Sequence, residues 1–472
     1  MSSQKFSTPD GKNRPAPLKS ARRQGRFLGM TLGLAGVAMI SATAGALLAV
    51  SLSTTPLMQH QLSPEEAAVF SQGDLTKVNM RLPELTRPVN ILILGVKVIT
   101  ADIDEKLSEA YGYHALVNSF KGLSDTMLLV RFDPSVKKLT VISIPRDTRT
   151  HVEGHGMTKI NSANYYGGPA LSAKAVSELL GGVGIDRYVR INVQGVEKLI
   201  DALGGLDVYV PKDMKYQDDS QHLYINLKQG EQHLNGNQVL QFLRFRYDSL
   251  GDIGRVQRQQ MLMRAFTEQV VNVGVIPKLP KVLSVVQSHL DTNLSIEELV
   301  ALVGFATNLE KSDIQMLMVP GEFSDPDQYN ASYWLPNYSG IDSIVSNHFN
   351  MGHSSWEFEA DDPTYLRIAV QDSLDDQEAT DQLITSLNES GYWQVRESVP
   401  WSQPLETTRI VAQYGDVKGA EAIRDALGIG EVIVESTGNL RSDVTILLGK
   451  DWQQKAMKPP GTLEEPQPRR RF

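Results

Sequence analysis

The sequence contains no cysteine among its 472 residues. This absence excludes disulfide bonds, thiolate zinc sites and a cysteine nucleophile, but it does not settle the compartment, because cysteine-free proteins occur inside and outside cells. An excess of positive charge is missing as well, since the formal net charge is -9. A general attraction to nucleic acid is therefore excluded, and any anion-binding site must come from a local group of arginines.

Long uncharged apolar runs are also scarce, and the clearest one spans residues 27–52. Basic residues precede it directly, namely Lys19, Arg22, Arg23 and Arg26. About 20 apolar residues suffice to cross a bilayer, and a positive flank stays in the cytoplasm. We therefore predict a cytoplasmic tail at 1–26 and a single transmembrane anchor at 27–52. The small residues at 42–44 leave a cleaved signal peptide as the alternative.

The length allows about two to four domains. Composition divides the rest of the chain into four segments: a proline-containing stalk at 53–87, a large α/β domain at 88–350, a C-terminal α/β region at 357–452 with a small module from about 405, and a proline-rich tail at 453–472. Few apolar residues occur in the tail, so we predict that it is disordered.

Short apolar runs of strand length dominate the 88–350 domain. They lie at 90–96, 126–132, 139–144, 188–193 and 206–210. Residues at 170–180 and 196–203 have helical spacing instead. Strands that alternate with helices predict an α/β fold with a mixed central sheet covered by helices.

The densest unusual feature is a group of arginines and glutamines between residues 244 and 260. We predict that Arg244 and Arg246 lie in an extended segment, where residues two apart share a face. We also predict that Arg255 opens a helix and that Gln259 lies one turn later on the same face. Such a set fits phosphate or pyrophosphate, because guanidinium groups bind oxygen arrays bidentately. Pairing of these arginines with nearby surface aspartates is the structural alternative.

Two further charged residues lie near strand ends. Arg146 follows the 139–144 strand, and ligands usually bind at strand ends in α/β sheets. Asp125 begins the neighbouring strand. A carboxylate beside arginines is either a counter-ion or a Mg²⁺ ligand, since Mg²⁺ prefers carboxylate, phosphate and water oxygens.

The order of these motifs resembles the LytR-CpsA-Psr family of cell-wall glycopolymer transferases. The resemblance rests on the Leu-Gly at 94–95, Ser124-Asp125-Thr126, Ile144-Pro145-Arg146-Asp147-Thr148, Lys159-Ile160-Asn161 with Tyr165 and Gly167-Gly168, Arg244-Phe245-Arg246, and the run from Gly251 to Gln260. It spans about residues 90–271 and extends to about 349. The module at 407–448 is similar to a C-terminal domain often attached to this family.

The resemblance implies a polyprenyl-pyrophosphate-linked glycan as donor, an apolar groove between sheet and helices for its lipid, and bound Mg²⁺. Matching positions put Asp125 at the metal and Arg146, Arg244, Arg246, Arg255 and Gln259 at the phosphates, with Asp125, Arg146, Arg244 and Arg246 as the catalytic set. An acceptor hydroxyl, of peptidoglycan in better-known members, would attack the sugar-linked phosphorus. It also implies a bacterial plasma-membrane protein whose catalytic domain lies outside the cell.

Two positions depart from the family pattern. Lys97 stands where an aspartate is usual, and Leu123 stands where an arginine is usual. We expect Lys97 to add a positive charge for the phosphates. We expect Asp102 or Asp104 to replace the missing carboxylate at the metal.

Two other functions remain open from the sequence. One is a protein that binds a polyprenyl-phosphate lipid or glycan without turning it over, and the other is a hydrolase of the lipid pyrophosphate. The aromatic residues at 329–338 are either a platform that faces the glycan or packing within a loop.

Overall fold

The computed structural model describes residues 61–71, 75–77, 83–97, 120–219, 223–245, 251–271, 278, 281–282, 284–285, 289–325, 327–349 and 363–456. The predicted cytoplasmic tail and the predicted anchor at 27–52 lie outside these residues. Among the helices that the structure describes, none is both long enough and apolar enough to span a bilayer.

The described strands are, in chain order, β1 (Thr76–Lys77), β2 (Glu84–Leu85), β3 (Val89–Lys97), β4 (Leu123–Asp133), β5 (Lys138–Ser143), β6 (Arg149–Val152), β7 (Gly156–Lys159), β8 (Arg187–Asn192), β9 (Leu206–Val210), β10 (Met214–Asp218), β11 (Leu223–Leu227), β12 (Gly230–Leu234), β13 (Leu290–Thr292), β14 (Ile314–Met318), β15 (Gly321–Phe323), β16 (Trp334–Pro336), β17 (Ile368–Asp372), β18 (Val395–Glu397), β19 (Arg409–Ala412), β20 (Glu431–Val434) and β21 (Val444–Leu448). The described α-helices are α1 (Pro64–Ala67), α2 (Ser162–Leu179), α3 (Val193–Leu203), α4 (Gly236–Arg244), α5 (Gly251–Val271), α6 (Ile296–Ala306), α7 (Tyr338–Phe349), α8 (Gln377–Glu389), α9 (Val417–Leu427) and α10 (Lys450–Ala456).

A six-stranded mixed sheet forms the centre of the larger domain, in the order β13-β8-β3-β4-β5-β14. The β3–β8 and β5–β14 pairs are parallel, whereas β4 runs antiparallel to both of its neighbours. The predicted fold class, an α/β fold with a mixed central sheet covered by helices, is confirmed.

The two faces of this sheet pack against different helices, because successive side chains of a strand point to opposite faces. Leu92 and Leu129 belong to a buried cluster that includes apolar residues of α2 and α7. Leu128 belongs to a cluster on the opposite face, against which Met263 of α5 and Phe305 of α6 pack. The sheet is therefore covered on both sides.

The strand β14 is not among the strands predicted from the sequence. This strand lies at the edge of the central sheet and pairs with β5. Its five residues are all buried. A strand covered on both faces loses the alternation that reveals a half-buried strand, so the run resembles a helical segment in the sequence.

The C-terminal region forms a second, five-stranded sheet in the order β18-β17-β21-β19-β20. Because β17 pairs with β21 inside this sheet, the folded module includes residues from 368 and begins earlier than the predicted start near 405. It also continues to the end of α10 at Ala456, slightly beyond residue 453, where we predicted that the tail begins.

The two sheets meet along one seam, where the residues that follow β20 lie beside the edge strand β14. Met316 forms a parallel bridge with Glu435. The Ser436 N–H donates to the Met316 carbonyl at 2.8 Å, and its hydroxyl accepts from Met318 N at 2.8 Å. An open strand edge invites pairing with other chains, so this seam covers part of the exposed edge of the central sheet.

Candidate phosphate-binding site

A β-turn follows β5 and presents Arg146 and Asp147. The carbonyl of Pro145 accepts hydrogen bonds from the Thr148 N–H at 2.9 Å and from the Thr148 hydroxyl at 2.6 Å. Thr148 is buried, whereas Arg146 and Asp147 at the centre of the turn are partly exposed. A turn closed in this way holds both central side chains at the end of the sheet.

Asp125 occupies a β-bulge near the start of β4. Gly95 pairs with Thr126 and Val96 pairs with Ser124, so Asp125 is the extra residue of the longer strand. A bulge bends its strand locally and redirects the side chain that it inserts. The close approach of β3 also favours glycine, because a Cβ at Gly95 would lie 3.0 Å from that of Thr126.

A chain of alternating charges joins the turn to the bulge. Arg146 Nη1 lies 2.6 Å from Asp125 Oδ1, and Arg146 Nε lies 3.3 Å from Asp147 Oδ2. Asp147 Oδ1 also accepts from Lys159 Nζ at 2.8 Å. These side chains are between 13% and 31% exposed, so an anion in solution can reach both cations.

The helix α5 also contacts the strand end that carries Asp125. Gln259 Nε2 lies 3.3 Å from Thr126 Oγ1, one residue from Asp125. The preceding residue, Arg258, is buried and donates to the Phe245 carbonyl, with its guanidinium carbon 5.7 Å from the Phe245 ring centroid. Arg258 thus ties α5 to the segment that follows α4.

An apolar strip leads away from this cluster. Thr126, Leu128 and Val130 alternate along β4 and therefore share one face. Met263 lies one turn after Gln259 on α5 and packs, partly exposed, against the cluster that contains Leu128 and Val130. The polar cluster consequently lies at one end of an apolar layer between sheet and helix.

Two predicted boundaries of the arginine segment are wrong. Arg244 is the last residue of α4 rather than part of an extended segment, and the backbone becomes extended at Phe245. The capping box of Asn235 and Gln238 stabilises this helix, and its buried Val239 and Phe242 favour helix over strand. The start of α5 lies at Gly251, so Arg255 is in its second turn and does not open the helix.

The remaining predicted site residues are described only in part. Arg246, Asp102 and Asp104 lie outside the described residues, and only the backbone of Lys97 and Arg255 is described. The register of β3 and β4 makes Lys97 and Leu123 direct partners. The two positions that depart from the family pattern therefore face each other across one strand pair, two residues from Asp125.

The structure adds residues whose roles the sequence does not assign. Asp147 links Arg146 to Lys159, Thr126 contacts Gln259, and Arg258 orients the start of α5. The sequence signal for Arg258 is its position beside Gln259 in the arginine-rich run. The role of Thr126 depends on the bulge, which no periodicity indicates.

Asp125 suits a divalent cation as a single protein carboxylate. Its pair with Arg146 engages Oδ1. Within the part of the chain that the structure describes, no three His, Asp or Glu side chains form a group that could hold a metal ion. Mg²⁺ that is bound together with phosphates usually completes its coordination with phosphate and water oxygens.

Comparison with known proteins gives two family matches. Residues 54–349 match the LytR_cpsA_psr family. Residues 365–452 match a family described as LytR cell envelope-related transcriptional attenuator.

Curated relatives and solved structures cover the same region. The chain is 32% identical over 288 residues to the polyisoprenyl-teichoic acid–peptidoglycan teichoic acid transferase TagV of Bacillus subtilis, which covers 59% of this chain and 69% of TagV. TagU of Bacillus cereus, a transferase of the same description, is 33% identical over 241 residues, or 50% of this chain and 70% of TagU. The crystal structure of B. subtilis TagV is 28% identical and covers 57% of this chain and 99% of its own, with a TM-score of 0.47.

Proposed function

The chain belongs to the LytR-CpsA-Psr family, and from this premise we propose that it transfers a glycopolymer from a polyprenyl-pyrophosphate carrier to a cell-envelope acceptor such as peptidoglycan. The relatives TagV and TagU are described as transferring polyisoprenyl-linked teichoic acid to peptidoglycan. Their descriptions supply the class of donor and the class of acceptor.

One observation carries the proposal. Arg146, Asp125 and Gln259 come from a turn, a bulge and a helix, and their contacts bring them to one end of the central sheet. The apolar layer between β4 and α5 begins at the same point. A ligand with a charged pyrophosphate and a long apolar chain matches a site whose lining changes from charged to apolar side chains. We therefore assign the predicted lipid groove to this layer.

The reaction needs positioned charge rather than a covalent enzyme intermediate. A hydroxyl oxygen of the acceptor forms a bond to the phosphorus that bears the glycan. The bond from that phosphorus to the bridging oxygen breaks, polyprenyl phosphate leaves with the bridging oxygen, and the hydroxyl proton passes to water. The guanidinium of Arg146 and the ammonium of Lys159 stabilise the charge on the phosphoryl oxygens, which is the main contribution of protein groups in such transfers.

We assign the further phosphate contacts to Arg244, Arg246, Arg255 and Lys97, following the family motif for the three arginines. Mg²⁺ belongs to the proposal as a cation held by Asp125, with Asp102 as a second candidate ligand. When bound, it would neutralise charge on the pyrophosphate. The apolar run at 27–52 would anchor the chain in the plasma membrane, with the domain at 88–350 outside the cell.

The test uses the full chain purified in detergent, a labelled glycan on polyprenyl pyrophosphate, and isolated peptidoglycan. We expect label to become attached to peptidoglycan and polyprenyl phosphate to appear in equal amount. Arg146→Ala should abolish both, whereas Lys174→Ala should not, because Lys174 forms only an exposed ion pair with Glu153.

The same assay separates the alternatives. Release of glycan phosphate to water without acceptor would indicate a hydrolase. Donor that binds and never turns over, at any Mg²⁺ concentration, would indicate a binding protein and would refute the transferase.

A further inference from the structure

Two partly exposed tyrosines lie beside the charged cluster. The rings of Tyr329 and Tyr333 meet edge to face, with centroids 5.3 Å apart. The next residue, Trp334, donates its backbone N–H to the Asp147 carbonyl at 2.9 Å and forms a β-bridge with Thr148. The tyrosine segment is therefore fastened to the turn that carries Arg146.

Two cations approach the faces of these rings. The guanidinium carbon of Arg149 lies 5.1 Å from the Tyr329 centroid and 6.0 Å from that of Tyr333. Lys159 Nζ lies 5.7 Å from the Tyr333 centroid while it also binds Asp147. The contacts run without a break from Arg146 through Asp147 and Lys159 to the tyrosines.

Arg149 differs from its charged neighbours in one respect. Arg146 and Lys159 both pair with aspartates, whereas no carboxylate of the described residues forms an ion pair with Arg149. It is partly exposed at the start of β6. A guanidinium that is held by aromatic rings and lacks a carboxylate retains its donors for an anion from outside the chain.

This combination fits an acidic sugar polymer. An aromatic ring packs against the apolar C–H face of a sugar, and the tyrosine hydroxyl at its edge reaches the sugar's polar groups. Peptidoglycan is a strand of amino sugars whose peptide groups carry carboxylates. Tyr329 and Tyr333 match the sugar, and Arg149 matches the carboxylate.

We propose that Tyr329, Tyr333 and Arg149 form the subsite that binds the acceptor strand. The inference rests on the proposed function, because it takes the phosphates of the donor to lie at Arg146. An acceptor on the tyrosines then approaches the donor phosphorus from the side of Asp147 and Lys159, and the lipid leaves along the apolar layer on the other side. Donor and acceptor thus occupy separate surfaces that meet at one turn.

The rival explanation is that the tyrosines only brace their loop. Bracing predicts that their loss lowers stability and donor affinity together. An acceptor subsite predicts that acceptor affinity changes alone, so the two explanations differ in a measurable way.

The experiment compares the full-length wild type in detergent with Tyr329→Ala, Tyr333→Ala and Tyr333→Leu, the last of which keeps side-chain bulk in the loop. Each protein is tested for donor affinity, thermal stability and the KM for soluble peptidoglycan strands. We expect the KM for acceptor to rise on the order of tenfold, with donor affinity and kcat within about twofold of wild type. Trp393→Ala is the matched control, because Trp393 is 75% exposed on the C-terminal module and should leave the KM unchanged.

Arg149→Gln tests separately whether Arg149 binds a carboxylate of the acceptor strand. Wild type should prefer strands with free carboxylates over strands whose carboxylates are amidated, and Arg149→Gln should lose that preference. Equal KM values for wild type and all four variants would overturn the proposal, and so would a parallel loss of donor affinity and stability.

Direct binding of the soluble strands, measured without donor, keeps the subsite distinct from the transfer reaction. If transfer fails in every protein, strands that bind wild type and release from the tyrosine variants still support the subsite. Strands that fail to bind wild type would refute it.

Discussion

Asp125 accepts a 2.6 Å hydrogen bond from Arg146, although 21 positions separate them in the chain. The pairing of β4 with β5 brings the two close, because Leu128 lies opposite Ser143 and the turn that follows β5 folds over the start of β4. The register of the β4–β5 pair therefore determines this ion pair. The pair lies at the end of the candidate donor site that is nearest the turn.

The Asp125–Arg146 pair should control donor binding more than stability. Arg146→Ala should lower affinity for the lipid pyrophosphate about 10- to 100-fold, since a hydrogen bond to a charged group contributes about 1.5–3 kcal/mol. Asp147 keeps Lys159 as a partner and Asp125 stays about one fifth exposed to water, so the loss of stability in Arg146→Ala should be modest. Asp125→Asn should instead remove stimulation by Mg²⁺, and a variant that keeps full stimulation would refute Asp125 as the metal ligand. Binding titrations at two Mg²⁺ concentrations measure both effects.

Gln259 and Gln257 provide a matched pair on α5. Gln259 faces Thr126 at the candidate site, whereas Gln257 Nε2 lies 3.4 Å from the Gly438 carbonyl of the C-terminal module. Gln259→Ala should weaken donor binding about tenfold, the usual effect of removing one or two polar contacts. The same change at Gln257 should leave donor affinity within about twofold. Equal effects in the binding assay would mean that α5 acts through its overall position and not through Gln259.

His348 should make stability depend on pH. Burial, together with the charges of Lys138 and Arg131, lowers the pKa of His348 to about 4. Its Nε2 has no hydrogen-bond partner within the described residues. The unfolded chain, with a pKa of about 6.5, takes up the proton first as pH falls, so stability declines between about pH 6.5 and 4. At pH 5 this contributes a loss of about 2 kcal/mol relative to pH 7.5.

Urea unfolding of wild type and His348→Gln at pH 7.5 and 5.0 measures this contribution. The variant should lose less stability on acidification than the wild type. Identical losses in the two proteins would show that His348 titrates in the same way when folded and unfolded.

Arg264 and Glu435 join α5 to the C-terminal module by an ion pair. Glu435 is buried, and burial lowers the pKa of Arg264 to about 10. Glu435→Ala should destabilise the protein by on the order of 2 kcal/mol, because the guanidinium of Arg264 loses its partner in a largely buried environment. Arg264→Met in the same chain should restore most of that loss. Urea unfolding measures both, and Lys450→Ala, which breaks an exposed pair with Glu406, should have almost no effect.

Sequence patterns predicted the regular elements well where one pattern dominates. The strand at 206–210 has the observed bounds, since Gly204 and Gly205 end the preceding helix with positive φ. The β6–β7 hairpin was not predicted, although Gly154 between its strands and Gly156 at the start of β7 both adopt positive φ. Glycines reveal a turn, but they do not reveal which strands pair across it.

The sequence predicts which residues belong to the candidate site but not which of them contact one another. Arg146, Asp125 and Gln259 were assigned from their motifs, and the structure brings them together. Asp147 and Lys159 acquired a common role only from the fold, because their contact depends on how the β6–β7 hairpin returns to the turn. The predicted conformation of Arg244 is wrong because the helix ends one residue later than predicted, and sequence patterns do not fix a helix end to a single residue.

The bulge at Asp125 also limits how this strand can change during evolution. Deleting one residue there would make Gly95–Thr126 and Val96–Ser124 consecutive pairs of a regular ladder, so the strand would lose the local bend and the extra twist that the bulge introduces. Loss of the carboxylate by substitution would leave the neighbouring side chains in place. Homologous strands that lack the acid should therefore retain a residue at this position.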